Sequence, residues 1–422
     1  MPSNYKRLGD YIQEVNNRNR DLSNIPLLGV SIKKVLMPSI ANTIGTDMST
    51  YKLIQKNQFA YGPVTSRNGD KISIALLEEY DNAMVSQAYT VFEVIAESEL
   101  LPEYLMMWFR RPEFDRYARF MSHGSAREIF SWTEMSETLL PIPSIEKQRE
   151  IVREYNIIQN RIVLNNRLIA KLEETAQTIY KQWFVDFEFP ISDTEALEVT
   201  DKSKGYKSSG GKMVWCAELE KEIPEGWRVS NIGGILKNKG YIRGPFGSAL
   251  KKDDMSPSGF PVYEQQHAID KHRNFRYFID VKKYNSLKRF SVEVNDFVIS
   301  CSGTLGEVTE IRNDDPIGII NQALLILRIN PNILIPICFK YFITSKEGKN
   351  LLIADASGSA QVNIAKREQI ASIPIILPSS IEQENVSKKI FPLDELIYKK
   401  GNENQKLEEL KELLLGRMVR EN

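Results

Sequence analysis

The side chains best suited to grip a polyanion or to read base edges are unevenly spread along these 422 residues. The segment VYEQQHAIDKHRN (Val262 to Asn274) gathers glutamines, histidines, a lysine and an arginine just after a strand-like run. Lys237 to Lys252 carries Lys237, Lys239, Arg243, Lys251 and Lys252 with no acid, and His267 to Arg289 sets Lys271, Arg273, Arg276, Lys282, Lys283, Lys288 and Arg289 against Asp270 and Asp280. Arginine and lysine can donate in pairs to guanine, and asparagine and glutamine can pair with adenine, provided that a rigid support aims them. The bland alternative for any one such run is a solvated surface.

Covalent chemistry is harder to find. No GxxxxGK[ST] phosphate loop occurs, which excludes ATP hydrolysis by that route, and no Asn/Asp-Pro-Pro-aromatic tetrapeptide of adenine methyltransferases is present. Gly233-Gly234 and Gly303 to Gly306 lack the strand-turn-helix context of a nucleotide fold. The acids form no persuasive nuclease or glycosidase constellation. Cys216, Cys301 and Cys338 show no CxxC pairing, and His123, His267 and His272 do not complete a ligand set, so no metal site and no catalytic residue are expected.

The elements that would carry these side chains occur twice. Gln148 and Gln383 lie 235 positions apart, and around them IPSIEKQREIV (Ile142 to Val152) lines up with LPSSIEQENVS (Leu377 to Ser387). Pro143 falls on Pro378 and Lys171-Leu172-Glu173-Glu174 on Lys406-Leu407-Glu408-Glu409 at the same offset. Upstream, Val85-Ser86-Gln87-Ala88 matches Ile320-Asn321-Gln322-Ala323, and Gly124-Ser125-Ala126 matches Gly358-Ser359-Ala360. A period this long exceeds that of solenoid repeats, so each copy is a whole domain plus its helix. Two related heads suit a ligand with two similar faces, such as duplex DNA.

Within the first copy, Ile72 to Leu77 and Ala88 to Val94 read as strands and Glu103 to Phe120 as an aromatic helix. In the second, Phe297 to Cys301, Gly306 to Ile311 and Ala323 to Ile329 read as strands and Pro336 to Thr344 as the matching helix. Because strands and helices do not alternate regularly, an irregular, largely antiparallel sheet is expected. The helix after the first head places Tyr155, Ile162, Ile169, Ala176 and Trp183, with Ile151, Ile158, Leu172 and Ile179, on a coiled-coil seam interrupted by Asn165. Val386, Ile390, Leu393, Ile397, Leu407, Leu414 and Met418 form the second seam, with Lys400, Asn404 and Lys411 as polar breaks and a kink or restart expected at Pro392. Antiparallel pairing of the two within one molecule follows. Trp183, Phe184, Phe187 and Phe189 are expected in packing, and GYKSSGGKMV (Gly205 to Val214) as an exposed linker.

Fifty-five basic and fifty-five acidic residues cancel, which argues against a strong stand-alone polyanion binder. With no leader-like segment at Met1 to Asp10 and no apolar run long enough to span a bilayer, a soluble cytoplasmic protein without membrane association is expected.

The duplicated Pro-Ser…Glu-Gln helix entries (Pro143 to Gln148 and Pro378 to Gln383), the YKSSGG…IPEGW stretch (Tyr206 to Trp227), GPFGSALK (Gly244 to Lys251) and GSAQVNI (Gly358 to Ile364) together resemble the specificity subunits of type I restriction-modification systems, over nearly the whole length. The resemblance implies an α+β fold: two mixed α/β target recognition domains in pseudo-twofold repeat, joined by two long antiparallel helices forming a coiled coil. Residues 1–144 would be the first target recognition domain, 145–190 the first spacer helix, 191–225 a linker, 226–378 the second domain and 379–422 the second spacer helix. It implies a non-catalytic subunit whose heads each read one half of a bipartite, asymmetric site on double-stranded DNA. Its partners would be two modification (methyltransferase) subunits and, where the system also cleaves, two restriction (nuclease-translocase) subunits. S-adenosylmethionine, ATP and Mg2+ would be used by those partners, and no cofactor by this chain.

GPFGSALK has no sequence counterpart in the first head, and GSAQVNI becomes GSAREIF (Gly124 to Phe130), so the half-sites should differ. The candidate DNA-binding residues are Arg243, Ser248, Lys251, Gln265, Gln266, His267, Arg273 and Gln361 in the second head, and Arg67, Asn68, Lys71, Ser125 and Arg127 in the first. The competing readings are a non-catalytic protein-assembly scaffold, which predicts apolar patches on the heads, and a stand-alone nuclease.

Overall fold

The structure, a computed structural model, describes residues 5–41, 43–65, 71–123, 128–191, 205–354, 363–364 and 366–419. It divides into two compact units, Met1–Leu164 with Lys406–Asn422, and Asn165–Gln405. Each unit holds one head with part of both long helices, so the division cuts across the helices and not at their ends.

In the first unit, strands Ile12–Val15, Thr90–Val94, Phe59–Gly62 and Ser73–Leu76 form an antiparallel sheet in that spatial order. In the second, Leu236–Arg243, Leu324–Ile329, Phe297–Ser300 and Val308–Glu310 repeat the order and the antiparallel sense. A closing pair recurs as well: Tyr5–Arg7 with Leu139–Pro141, and Arg228–Asn231 with Pro374–Leu377. Each head also contains one parallel pair, Leu27–Val30 beside Asn82–Val85 and Phe260–Tyr263 beside Ile319–Ile320. The largely antiparallel expectation holds, although the strands are distributed over several small sheets.

The predicted aromatic helix of the first head is two helices, Pro102–Arg110 and Pro112–Phe120. Pro112 is the cause: its ring drives Arg111 out of the helical region, to φ −70 and ψ 135, and a new helix starts at once. The second head repeats the break at Ser345, between Pro336–Thr344 and Lys346–Leu352, without a proline. There the Ser345 hydroxyl accepts from the Gly348 N–H and caps the new helix.

The long helices span Ile145–Phe184 and Ser380–Arg417. Each is entered through a serine whose hydroxyl accepts a backbone N–H three residues on, Ser144 from Lys147 at 3.3 Å and Ser379 from Glu382 at 3.4 Å. The seam reading holds. Tyr155, Ile162, Ala176 and Trp183 are buried on one helix, and Val386, Ile390, Leu414 and Met418 on the other. In the first unit Ile151 and Tyr155 share a core with Leu414, Leu415 and Met418, and in the second Ala176, Tyr180 and Trp183 share one with Val386 and Ile390. Within each unit the helices are therefore antiparallel. Of the kink or restart expected at Pro392, no restart occurs: the second helix runs through Pro392, beside which Phe391 is exposed and Lys388 four residues back stands in solvent.

The glycine-rich segment is not an exposed linker. Beyond the end of the first helix, Phe187 turns the chain with φ 60, and Phe189 stacks between Tyr206 at 4.6 Å and Trp227 at 5.1 Å. Tyr206 is buried, its hydroxyl donates to the Lys212 carbonyl, and Met213–Cys216 forms a hairpin with Lys221–Pro224. Composition hid this because one aromatic residue, not the glycines and serines around it, anchors the turn. Stacked pairs of this kind contribute about 0.5–1.5 kcal/mol each beyond area burial.

Candidate nucleic-acid interface

In both heads the connection from the strand leading the antiparallel sheet to the parallel pair emerges at the same place in the fold. It is Asn16 to Pro26 in the first head and Gly244 to Gly259 in the second. GPFGSALK thus has a positional counterpart despite having none in sequence. Gly244 is required because any Cβ there would collide with the Asn321 carbonyl, and Gly247 adopts φ +61, which favours glycine at the tip. Phe246 is 65% exposed, so it does not pack into the core, and Arg243 lies over its ring at 5.9 Å. The Arg243 guanidinium is half-buried and lies against the Cys301 thiol. Ser248 and Lys251 are exposed on the same connection. The Lys251 N–H donates to Asp254, whose carboxylate also meets Lys283 Nζ at 2.9 Å. These bonds hold that carboxyl below its usual range, the Lys251 backbone donation first. Ser248 and Lys251 are thereby exposed on a loop braced at its Lys251 end, while Arg243 ends the preceding strand half-buried.

The QQH segment behaves differently. Gln265–Ile269 is a short helix, and His267 on it is fully buried. Its Nδ1 accepts from the Glu264 N–H at 2.7 Å, which leaves Nε2 as the donor to the Asn274 carbonyl at 3.0 Å. Burial pushes its pKa down, with His272 and Arg273 opposing a further positive charge. His267 is therefore a neutral core residue and has no ring nitrogen left for a base.

Arg273 is corrected in the same way. Its Nε and Nη2 grip the buried Asp315 carboxylate at 2.7 and 2.9 Å, Nη2 also donates to Thr309 and to the Glu310 carbonyl, and Nη1 donates to the His272 carbonyl. With its fork spent, this guanidinium positions a loop. The surrounding segment is tied to the long helices of its unit, with Lys271 Nζ 3.2 Å from Glu173 and Gln405 donating to the Asn274 side chain at 2.7 Å. Gln265 is half-buried, donates to the Ser302 carbonyl and accepts from the Ser302 hydroxyl at 3.1 Å. That close approach needs Gly303, whose φ is +61. Gln266 is half-buried and makes no side-chain hydrogen bond among the described residues.

In the first head Lys71 is exposed. Beside it, the Ile72 N–H donates to Asp115, and Asp115 pairs with the buried Lys34 at 2.7 Å, so Ile72 is fastened to the helix Pro112–Phe120. Arg67, Asn68, Ser125, Arg127 and Gln361 lie outside the described residues.

Sequence reasoning missed what the repeated glutamines do. Gln148 is fully buried: Nε2 donates to the Glu99 and Pro143 carbonyls at 2.8 and 2.9 Å, and Oε1 accepts from the Leu101 N–H at 2.9 Å. Gln383 donates to the Ile333 and Pro378 carbonyls, both at 3.2 Å, and accepts from the Ile335 N–H at 3.0 Å. Leu101 and Ile335 are the residues preceding Pro102 and Pro336, where the head helices begin. A single amide thus fastens the start of each long helix to the start of a head helix. The recurrence of glutamine five residues after each helix-entry proline was the available clue.

A model of the type I restriction modification DNA specificity domain matches residues 3–174 and again 224–411. The HindI specificity subunit of Haemophilus influenzae is 23% identical over 92% of this chain and 91% of its own length. The MjaIX specificity subunit of Methanocaldococcus jannaschii is 29% identical over 34% of this chain, a match covering 29% of that relative. Among solved structures, the S subunit of the type I restriction-modification system from M. genitalium superposes with a TM-score of 0.53 at 13% identity, over 98% of this chain and 95% of its own, which speaks to the fold alone. Two heads of one topology, each fastened to a long helix by the same glutamine, and a family model that matches both repeats place the chain in the type I restriction-modification DNA specificity family.

Proposed function

We propose that this chain reads a bipartite, asymmetric site on double-stranded DNA, each head meeting one half. The long helices set the heads apart and dock two modification subunits, with two restriction subunits added where the system cleaves. The observation that carries this reading is the duplicated head-and-helix unit, whose fastening is repeated bond for bond while its exposed loops differ. Equal fastening suits equal geometry on the duplex, and unequal loops suit unequal bases.

The chain supplies no chemistry of its own in this proposal. Methyl transfer from S-adenosylmethionine, and the ATP and Mg2+ requirements of the complex, belong to the partner subunits. An acidic cluster, Glu310, Asp394 and Glu395, is engaged by Arg312 and Lys340, including Lys340 to Asp394 at 2.6 Å and Arg312 to Glu395 at 2.6 Å, an arrangement suited to bracing. No helix among the described residues is long and apolar enough to cross a membrane. Work on DNA beside its modification subunits would be done in the cytoplasm.

One observation favours a protein contact in addition. The first head exposes Ile32, Met37, Ile40 and Ile44, the last two at 98% and 90%. A scaffold lacking any DNA role would use exposed apolar side chains of this kind as its contact surface. Base-resolution methylation mapping of DNA from cells co-expressing this chain with its modification subunit separates the two readings. A split motif methylated on adenine in both halves is expected; a stable complex that leaves no motif would favour the scaffold.

A further inference from the structure

The first head contains an open cavity of about 590 Å³, within the size range of specific ligand sites. On one side it is walled by Asn16, Asn17, Arg18 and Arg20 from the connection that corresponds to GPFGSALK, and on the other by Gln55 and Asn82. Gln55 and Asn82 are register partners at the end of an antiparallel strand pair, so their amides stand next to each other. Among the described residues no carboxylate lines the cavity, and Ser23, Ile25 and Leu53 complete its wall. Arg18 spends one nitrogen on the Thr50 carbonyl at 2.8 Å. The side chains of Asn16, Asn17, Arg20, Gln55 and Asn82 are exposed and make no hydrogen bond among the described residues.

The wall is built to hold its shape. Asn19, 2% exposed, accepts the Ser23 N–H at 2.9 Å and donates to Met84 Sδ. Its own N–H donates to the Tyr51 carbonyl, and the Leu53 N–H donates to the Asn17 carbonyl at 2.8 Å, stitching the connection to the neighbouring strand. Leu22 is held at φ 51, a conformation that a side chain other than glycine keeps only when its surroundings impose it.

A braced cleft in which free amides and guanidinium groups stand beside Ile25 and Leu53, with no acid among its described lining residues, offers the donor and acceptor pattern of base edges together with apolar surface for a base or a thymine methyl. We propose that this cleft is where the first head reads its half-site. Asn16, Asn17, Gln55 and Asn82 present paired donor and acceptor atoms suited to adenine. Arg20 and the free nitrogens of Arg18 present the fork suited to guanine or to the flanking phosphates. The inference rests on the DNA-reading function proposed above and adds the residues that carry it in this head.

The test uses the assembled complex of this chain with its modification subunits. Once the methylated motif is known, duplexes bearing the intact motif, a scrambled first half or a scrambled second half are compared by competition binding, for the wild type, Gln55→Ala/Asn82→Ala and Arg20→Ala. The expected result is a fall of about tenfold or more in discrimination at one half only, with discrimination at the other half retained as the sign of a folded chain. Unchanged discrimination at both halves, or equal loss at both, would overturn the assignment. A wild-type complex that methylates no bipartite motif would instead defeat the underlying functional reading.

Discussion

Gln148 and Gln383 stand 235 residues apart and make the same three hydrogen bonds, each to a carbonyl two residues before an N-cap residue, to the N–H of that residue and to the carbonyl of the helix-entry proline. A buried amide with both ends satisfied is directional, so it fixes how each head helix meets its long helix. Truncation to alanine would leave the Leu101 or Ile335 N–H and two carbonyls without their partner. Each substitution is expected to cost about 1–3 kcal/mol in urea unfolding. Glutamate should cost more at either position, because it cannot donate to the two carbonyls and buries a charge.

Asn165, the polar interruption of the first seam, is buried and partnered. Asn165, 2% exposed, donates to Asn404 Oδ1 at 2.9 Å, and Asn404 donates to Asn166 Oδ1 at 2.8 Å. Asn404→Leu alone should destabilise by about 1–3 kcal/mol, since Asn165 is left buried without its acceptor. The double variant Asn165→Leu/Asn404→Leu should recover most of that loss. A double-mutant cycle with a coupling energy near zero would show that the pair does not act as a unit.

His267 gives the second head an acid limit. Burial holds its folded pKa below the ordinary 6.5, with the nearby His272 and Arg273 acting in the same direction. The unfolded chain therefore takes up this proton first. Its contribution to stability is complete above about 6.5 and is lost as pH falls through the lower folded value. Thermal unfolding followed from about pH 7.5 to 5.5 should show a decline that His267→Gln flattens; parallel curves for the two proteins would count against it.

Much of this fold could be read from sequence because its strongest features are periodic. The offset between Gln148 and Gln383 revealed two units, and the spacing of Tyr155, Ile162, Ala176 and Trp183 revealed the seam. The interface was read less well because a polar side chain carries no mark of its partner. Arg273 and His267 have the chemistry of base readers, yet Asp315 and the Asn274 carbonyl, neither identifiable as a partner by spacing, consume their donors. Tyr206 shows the reverse case, a core residue concealed among glycines and serines. Asn16 to Arg20 passed unnoticed because their role depends on strands that return only at Gln55 and Asn82.

In the proposed function the two heads read their half-sites independently of one another. The most direct test is to replace residues 226–378 with the corresponding head of another family member and map the methylated motif of the resulting complex. The account predicts that one half of the motif changes while the other half and the spacing between them stay as they were. A motif altered in both halves, or in neither, would contradict it.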